Sequence, residues 1–505
     1  MGLGMARKHG TTRISLALAS AAAALALSAC GGAADTQDGT ATSAARLTQL
    51  DATAVSPSFH LAPIELDEPA ADADAAVHQE AVVPGMEALP TAQLPVETIR
   101  RTAFMRRAAL RAQREGGALE AVANASSQAI AVRVYTPAQI RAAYQLPAVS
   151  TTTSTSRAAL GAGQTIYLID AYHHPNAYAD LAAFSSHFGL PSCANTPISP
   201  TATLPLAPAS SINGCSFSVV YAGGNGRMSA TAPAYDANWA TEIALDIQAA
   251  HVVAPLARIV LIEAASSSIT GLNSAVALAN SMGSGIVSMS YGSPEGTWVN
   301  SYDSLFQGKG MQYFASTGDN GAGVNWPAAS ARVVAVGGTT LTYDGGKRSE
   351  TAWSGTGGGT SLYVAKPSYQ AALGGSANRR RVADVALDAD PYTGQYIAFT
   401  PKGGVLGWFS AGGTSLAAPQ WAAIGAVVNA QRLLKGNSML TSFHGALYLN
   451  ARATPQLAAA SFLDVASGAD GSCAACVATA GYDTPTGLGT PNAAALLPVL
   501  AIANQ

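Results

Sequence analysis

The residues best suited to chemistry in this 505-residue chain lie in three short stretches. Ser410 to Trp421 reads S-A-G-G-T-S-L-A-A-P-Q-W, a glycine pair followed by Thr414, Ser415 and an apolar segment. That pattern describes a tight turn delivering a hydroxyl to the first turn of a buried helix. Free backbone N–H groups and the positive end of the helix dipole there favour an attacking oxygen and the oxyanion it creates. Ser415 is therefore the candidate nucleophile. A lone G-T-S equally suits a plain helix cap, so the choice between the two rests on whether the chain also supplies a base.

The second stretch, Asn238 to Asp246, reads as a helix with Ile243 and Ile247 on one apolar face. Glu242 and Asp246 lie four apart, so both carboxylates project from one face within mutual reach. On a solvated surface such a like-charge pair is mildly unfavourable. In a cleft it can share a proton and raise the pKa of one member. The third stretch, Ser316-Thr317-Gly318-Asp319-Asn320-Gly321, follows an apolar strand pattern and flanks an acid with glycines. That leaves Asp319 room beside a bound substrate, although an Asp-containing turn fits the composition as well.

The surrounding pattern alternates helix and strand. Thr165 to Asp170 is an apolar strand ending in a carboxylate, and similar strand patterns cover Arg258 to Ala264, Ile286 to Met289, Met311 to Ser316 and Arg332 to Val336. Helical patterns cover Ala177 to Phe188, Thr241 to Val253 and Thr270 to Ser281. At Tyr135 to Ile140 a threonine cap and a proline at the first helical position open the globular part. Strands apolar on both sides, separated by amphipathic helices, imply an α/β fold with a doubly wound, mainly parallel sheet and helices on both faces. Sites in such folds gather at the carboxyl ends of the strands.

Only 11% of residues are charged, against roughly 25% in average domains, and Gly stands at 50. This is the profile of an exported, loop-rich protein. A net charge of −3 gives no reason to expect nucleic acid or an anionic membrane surface as partner. The triple basic run Arg379 to Arg381 reads as a solvated strand entrance. Residues 1–29 carry Arg7, Lys8 and Arg13 before the apolar run Ile14 to Ala29, a secretory signal pattern. Leu27-Ser28-Ala29-Cys30 resembles the bacterial lipobox, which implies a lipidated Cys30 and an anchor in the cell envelope, with cleavage by an ordinary signal peptidase as the alternative. Residues 30–134 shift to Ala, Pro, Asp, Glu, Ser and Thr, with a short basic helical pattern at Ile99 to Arg114. They read as a linker and either a propeptide or a plain tether. Cys193 with Cys215 and Cys473 with Cys476 form two sequence-local pairs suited to an oxidising location.

Taken together, Trp239, Glu242 and Asp246 (W-x-x-E-x-x-x-D), Ser316, Gly318, Asp319 and Gly321 (S-x-G-D-x-G), and Gly413, Thr414, Ser415 and Pro419 (G-T-S-x-x-x-P) resemble, in the same order, the motifs of the sedolisin family of serine-carboxyl peptidases. Tyr291 of S-Y-G and Val336-Gly337-Gly338-Thr339 fit as well. The resemblance covers residues 135–505 and implies a subtilisin-like fold, polypeptide substrates and a monomer. It implies that Glu242 accepts the Ser415 proton, Asp246 orients Glu242, and a protonated Asp319 stabilises the oxyanion, with an acidic optimum. It further implies one structural Ca²⁺ held by Asp464, Val465, Thr479, Gly481 and Asp483. These are two carboxylates and three backbone carbonyls, the hard donors calcium prefers, although Thr479 stands where the family usually has glycine.

Asp170, with His173 and His174 nearby, sits where subtilisins carry a triad acid. The H-G-T-H helix of subtilisins is missing, so Asp170 is assigned to the structure or edge of the site. Asp384, Asp388 and Asp390 read as strand-end contacts. The competing function is a catalytically silent, lipid-anchored surface protein that keeps the fold for binding. A serine esterase is weaker, because Gly413-Thr414-Ser415-Leu416-Ala417 lacks the second glycine of G-x-S-x-G.

Overall fold

The computed structural model describes residues 56–57, 63–69, 79–83, 130–373, 378–440, 442–453 and 455–503. The signal segment 1–29, Cys30 and the basic helical pattern at 99–114 lie outside the described residues.

A ten-stranded sheet organises the chain. Its elements are, in chain order, β1 (Thr165–Ala171), α1 (Ala177–His187), β2 (Ser216–Ala222), α2 (Ala237–Val253), β3 (Arg258–Ala264), α3 (Ile269–Met282), β4 (Gly285–Met289), β5 (Met311–Ser316), β6 (Val334–Tyr343), β7 (Arg348–Ala352), β8 (Val385–Asp388) and α4 (Thr414–Leu434). The strand order is β7-β6-β5-β4-β1-β3-β2 and then the short strand Ala194–Asn195, with β8 also pairing with β6. The pairings β1–β3, β2–β3, β1–β4, β4–β5, β5–β6 and β6–β8 are parallel, whereas β7 adds antiparallel to β6.

Alternation along each strand divides the core between the two faces of this sheet, as period-two geometry requires. Ile166 and Leu168 of β1 join Ile259, Leu261, Ile286 and Phe314 beneath Ile243 and Ile247 of α2 and the alanine-rich flank of α4. Tyr167 and Ile169 point the other way, with Val260, Ile262, Val287 and Ala315, onto Leu272, Ala275 and Val276 of α3. Each fully buried side chain of this size contributes roughly 1.5–3 kcal/mol, so neither face can be left open.

Most elements expected from sequence form within a residue or two, and the threonine cap is present: Thr136 and Gln139 make a reciprocal capping box, with Pro137 opening the helix. Strand β2 is an addition to the elements read from sequence. A second correction concerns Arg379 to Arg381. Arg380 is fully buried and bonds Asp384 with both terminal nitrogens, at 3.0 and 2.7 Å. Both cysteine pairs form disulfides.

Two short pieces of residues 30–134 pair with strands beyond residue 134. Ser56–Pro57 pairs antiparallel with Tyr291–Gly292, and Ile64–Leu66 adds to the strand Gly407–Ala411 that leads into Ser415. Among the described residues no helix is long and apolar enough to cross a membrane.

Candidate active site

Helix α4 starts where sequence places the nucleophile. Gly413 is its N-cap at φ 91°, a conformation that side chains disfavour, and it supplies no capping side chain. Thr414 and Ser415 thus enter the first turn, whose amides have no acceptor within the helix. The amide and the hydroxyl of Thr414 both donate to Asp319 Oδ1, each at 2.7 Å. Thr414 Oγ1 in turn accepts the Gly318 N–H at 3.0 Å. Asp319 follows β5 on a loop turned by Gly318, whose φ is 113°.

With Oδ1 accepting two hydrogen bonds, Asp319 keeps Oδ2 buried and without a partner among the described residues. Burial outweighs the Thr414 donors and pushes the Asp319 pKa up to about 7. Oδ2 is therefore the natural seat of a proton below that pH.

Glu242 and Asp246 are buried on α2, one turn apart, as their spacing requires. Asp236 caps the helix by accepting the Asn238 and Trp239 amides at 3.0 Å each. Glu242 faces Ser415 closely enough for the hydroxyl to pull its pKa down. No fully formed hydrogen bond joins them, since Ser415 Oγ and both Glu242 oxygens lack one. Hydrogen bonds at catalytic sites are often this loose before substrate binds.

Two residues complete the cluster. Asp170, at the end of β1, is fully buried with both oxygens unpartnered, and its charge raises both Glu242 and Asp246. It thus lies beside the acid pair, where sequence assigned it to the structure or edge of the site. All three acids are held well above the usual carboxylate range, by burial first and then by one another or by Glu263. Ser290, just after β4, donates to Asp246 Oδ1 at 2.7 Å and lies 3.3 Å from the Ser415 carbonyl oxygen. That carbonyl is available because residue 419, which would bond to it in a regular helix, is proline. The sequence signal for Ser290 was its place before Tyr291-Gly292 at a strand end.

His173 and His174 pair with acids outside the cluster. His173 Nδ1 pairs with Glu263 at 2.7 Å and His174 Nε2 with Asp180 at 2.8 Å. Asp384 is the hub of a buried network with Arg380, His444 and Tyr448, and Asp388 accepts the Thr393 hydroxyl. Both are structural contacts, as expected.

The proposed metal residues occupy one loop region. Asp464 Oδ2 accepts the Gly481 N–H at 2.8 Å, and Asp483 Oδ2 accepts the Thr479 N–H at 2.9 Å. Burial, and to a lesser degree Asp464, raises Asp483. Val465 is buried beside them. Asp470, which sequence reasoning passed over, lies within electrostatic reach of Asp483 and is buried with both oxygens unpartnered among the described residues. Carboxylate and carbonyl oxygens are the donor types a hard divalent cation takes, but among the described residues Asp464, Asp470 and Asp483 do not converge as a cluster of three.

No family model matches the chain. It is 35% identical to sedolisin of Pseudomonas sp. (strain 101) over 216 residues, covering 37% of this chain and 34% of that protein. It is 32% identical to kumamolisin of Bacillus sp. (strain MN-32) over 220 residues, covering 37% of this chain and 39% of that protein. These matches span little more than a third of each relative's own length. A solved structure of Pseudomonas sedolisin, a serine-carboxyl proteinase complexed with two molecules of pseudo-iodotyrostatin, aligns with a TM-score of 0.56 at 26% identity. That alignment covers 73% of this chain and 98% of the other.

Proposed function

We propose that the chain belongs to the sedolisin family, as its similarity to sedolisin, to kumamolisin and to a solved sedolisin structure supports, and that it is a serine-carboxyl endopeptidase acting on polypeptides at acidic pH. The Ser415 hydroxyl attacks the peptide carbonyl and passes its proton to Glu242. Asp246 and Asp170 share protons with Glu242 and set its basicity. Asp319, protonated at Oδ2, donates to the oxyanion alongside the Ser415 amide. Glu242 then returns the proton to the leaving amine, and water repeats the sequence on the acyl-enzyme.

One observation carries the reading. The Thr414 N–H and hydroxyl saturate Asp319 Oδ1 and leave Oδ2 buried, with a pKa near 7, on the loop bonded to the residue before Ser415. A carboxyl so placed is neutral in acid and can donate. Incubating the purified chain with a peptide library from pH 3 to pH 8, beside Ser415→Ala, tests it. Cleavage below neutrality that disappears in the variant is expected. Equal cleavage by both chains, or none by either, leaves the fold as a binding scaffold.

Asp464, Asp483 and the carbonyls of Val465, Thr479 and Gly481 would hold one Ca²⁺. Bound there, the ion would neutralise the acids and fix the loop.

A further inference from the structure

A different cluster lies at the far end of the helix that carries Glu242 and Asp246. His251 occupies the last turn of α2 and is fully buried. Its Nδ1 lies 3.5 Å from Cys193 Sγ and 3.9 Å from Cys215 Sγ. The two sulfurs and an imidazole nitrogen all fall within 4.8 Å of one another. The cysteines are 6% and 3% exposed and are joined as a disulfide.

The tautomer of His251 is fixed from outside the cluster. Nε2 lies 2.8 Å from the Pro191 carbonyl oxygen. A carbonyl only accepts, so Nε2 carries the hydrogen and Nδ1 presents its lone pair to the sulfurs. Neither sulfur of a disulfide has a hydrogen to give, so that lone pair is a buried acceptor without a donor. An imidazole whose far N–H is held by a backbone carbonyl, with its free lone pair facing two cysteines, is also the arrangement that orients a metal-ligating histidine.

We propose that Cys193, Cys215 and His251 form a binding site for a thiolate-preferring d¹⁰ cation of the Zn²⁺ class, opened when the disulfide is reduced. A dithiol supplies two electrons and two hydrogens. The S–S bond breaks, two thiols form, and the reductant leaves as its own disulfide. Zn²⁺ then displaces one proton from each thiol and binds two thiolates and the neutral imidazole, with water as fourth ligand. The ion and its two thiolates sum to zero charge, which suits a buried site. The loop between the cysteines makes the needed shift local. It runs largely exposed from residue 194 to 214 and carries Pro197, Pro200, Pro205 and Pro208. In either redox state the cluster fastens that loop to the C-terminal turn of α2, by a covalent bond or by the ion.

The test uses the full chain with Cys30, Cys473 and Cys476 replaced by Ser, so that Cys193 and Cys215 are its sole thiols. After reduction with a phosphine, Co²⁺ is titrated anaerobically. One equivalent per chain is expected, with a sulfur-to-cobalt charge-transfer band in the near ultraviolet and visible bands of a tetrahedral ion. Zn²⁺ should displace it, the oxidised chain should bind none, and His251→Ala should weaken binding by at least about 100-fold. If reduction alone unfolds the chain, Zn²⁺ present during reduction is expected to preserve its circular dichroism. A folded reduced chain without the charge-transfer band, binding unchanged by His251→Ala, or unfolding that Zn²⁺ does not slow would each overturn the proposal.

Discussion

At the scale of single residues, the proposed mechanism divides proton acceptance and proton donation between carboxyls whose surroundings differ. Asp319 must be protonated to donate, and its pKa near 7 means that it supplies this form below that pH and loses it above. Glu242 must be ionised to accept, and burial first, then the charge of Asp170, opposes that ionisation. The two limbs of the pH–kcat profile should therefore respond to different variants. Asp319→Ala should cost on the order of 100-fold or more in kcat. Asp319→Asn, which keeps a donor that cannot ionise, should recover part of the rate and abolish the alkaline limb. Asp170→Asn should move the acidic limb to lower pH, because it removes a repelling charge. Limbs unmoved by either change would take both residues out of the proton transfers. Ser415, Glu242, Asp246 and Asp319 were nameable as candidates in the sequence because the local spacing of each is itself the signal. Asp170 was not, because its relevance comes from α2 lying across the end of β1, and no nearby residue in the chain announces that contact.

At the scale of elements, Pro419 and Ser290 form one device. The proline removes the amide that would have bonded to the Ser415 carbonyl, and Ser290 stands at that carbonyl while also donating to Asp246. With one hydrogen the hydroxyl serves one acceptor at a time, so a protonated Asp246 donating to Ser290 Oγ would release that hydrogen toward Ser415. Ser290→Ala should lower Tm, consistent with about 1–3 kcal/mol for groups left unsatisfied in the core, and lower kcat about tenfold with KM unchanged. Pro419→Ala restores an N–H for the carbonyl, so Ser290→Ala should cost less in that background. Strictly additive losses would show that the two residues act separately. The proline was visible in the motif, whereas Ser290 was marked only by its place in the S-Y-G strand end, with no sign of its contact with helix α4. Strand β2 escaped for a related reason. Its Ser216-Phe217-Ser218-Val219-Val220 alternation is half polar, and it is buried by the edge strand and helices packed beside it. Arg380 misled because a run of three arginines looks solvated until Asp384 is brought opposite the middle one.

At the scale of the whole molecule, the calcium-candidate loop and the Asp319 loop are one continuous piece of packing. The Asp470 carbonyl accepts the Ala322 N–H at 2.7 Å, and its own N–H donates to Cys476 O at 3.0 Å inside the short disulfide loop. Loosening the Asp464–Asp483 region should therefore disturb Asp319 as well as stability. A chelator is expected to lower both Tm and kcat, with Ca²⁺ restoring them better than Mg²⁺; an unchanged Tm would mean that no ion is held there. The parallel sheet and its two covered faces were readable from apolar strands alternating with helices. The layering of these loops was not, since glycine-rich turns carry no periodicity.

The antiparallel contact of Ser56–Pro57 with Tyr291–Gly292 occupies the strand edge immediately beyond Ser290, and on the proposed reading an extended substrate would add to that same edge. Freshly purified full-length chain should then show a lag before steady turnover, as the resident segment is released. A lag independent of protein concentration would mean that each molecule clears its own segment, and one that shortens with concentration would mean that molecules clear each other. A progress curve linear from the first seconds would show that the segment is no obstacle.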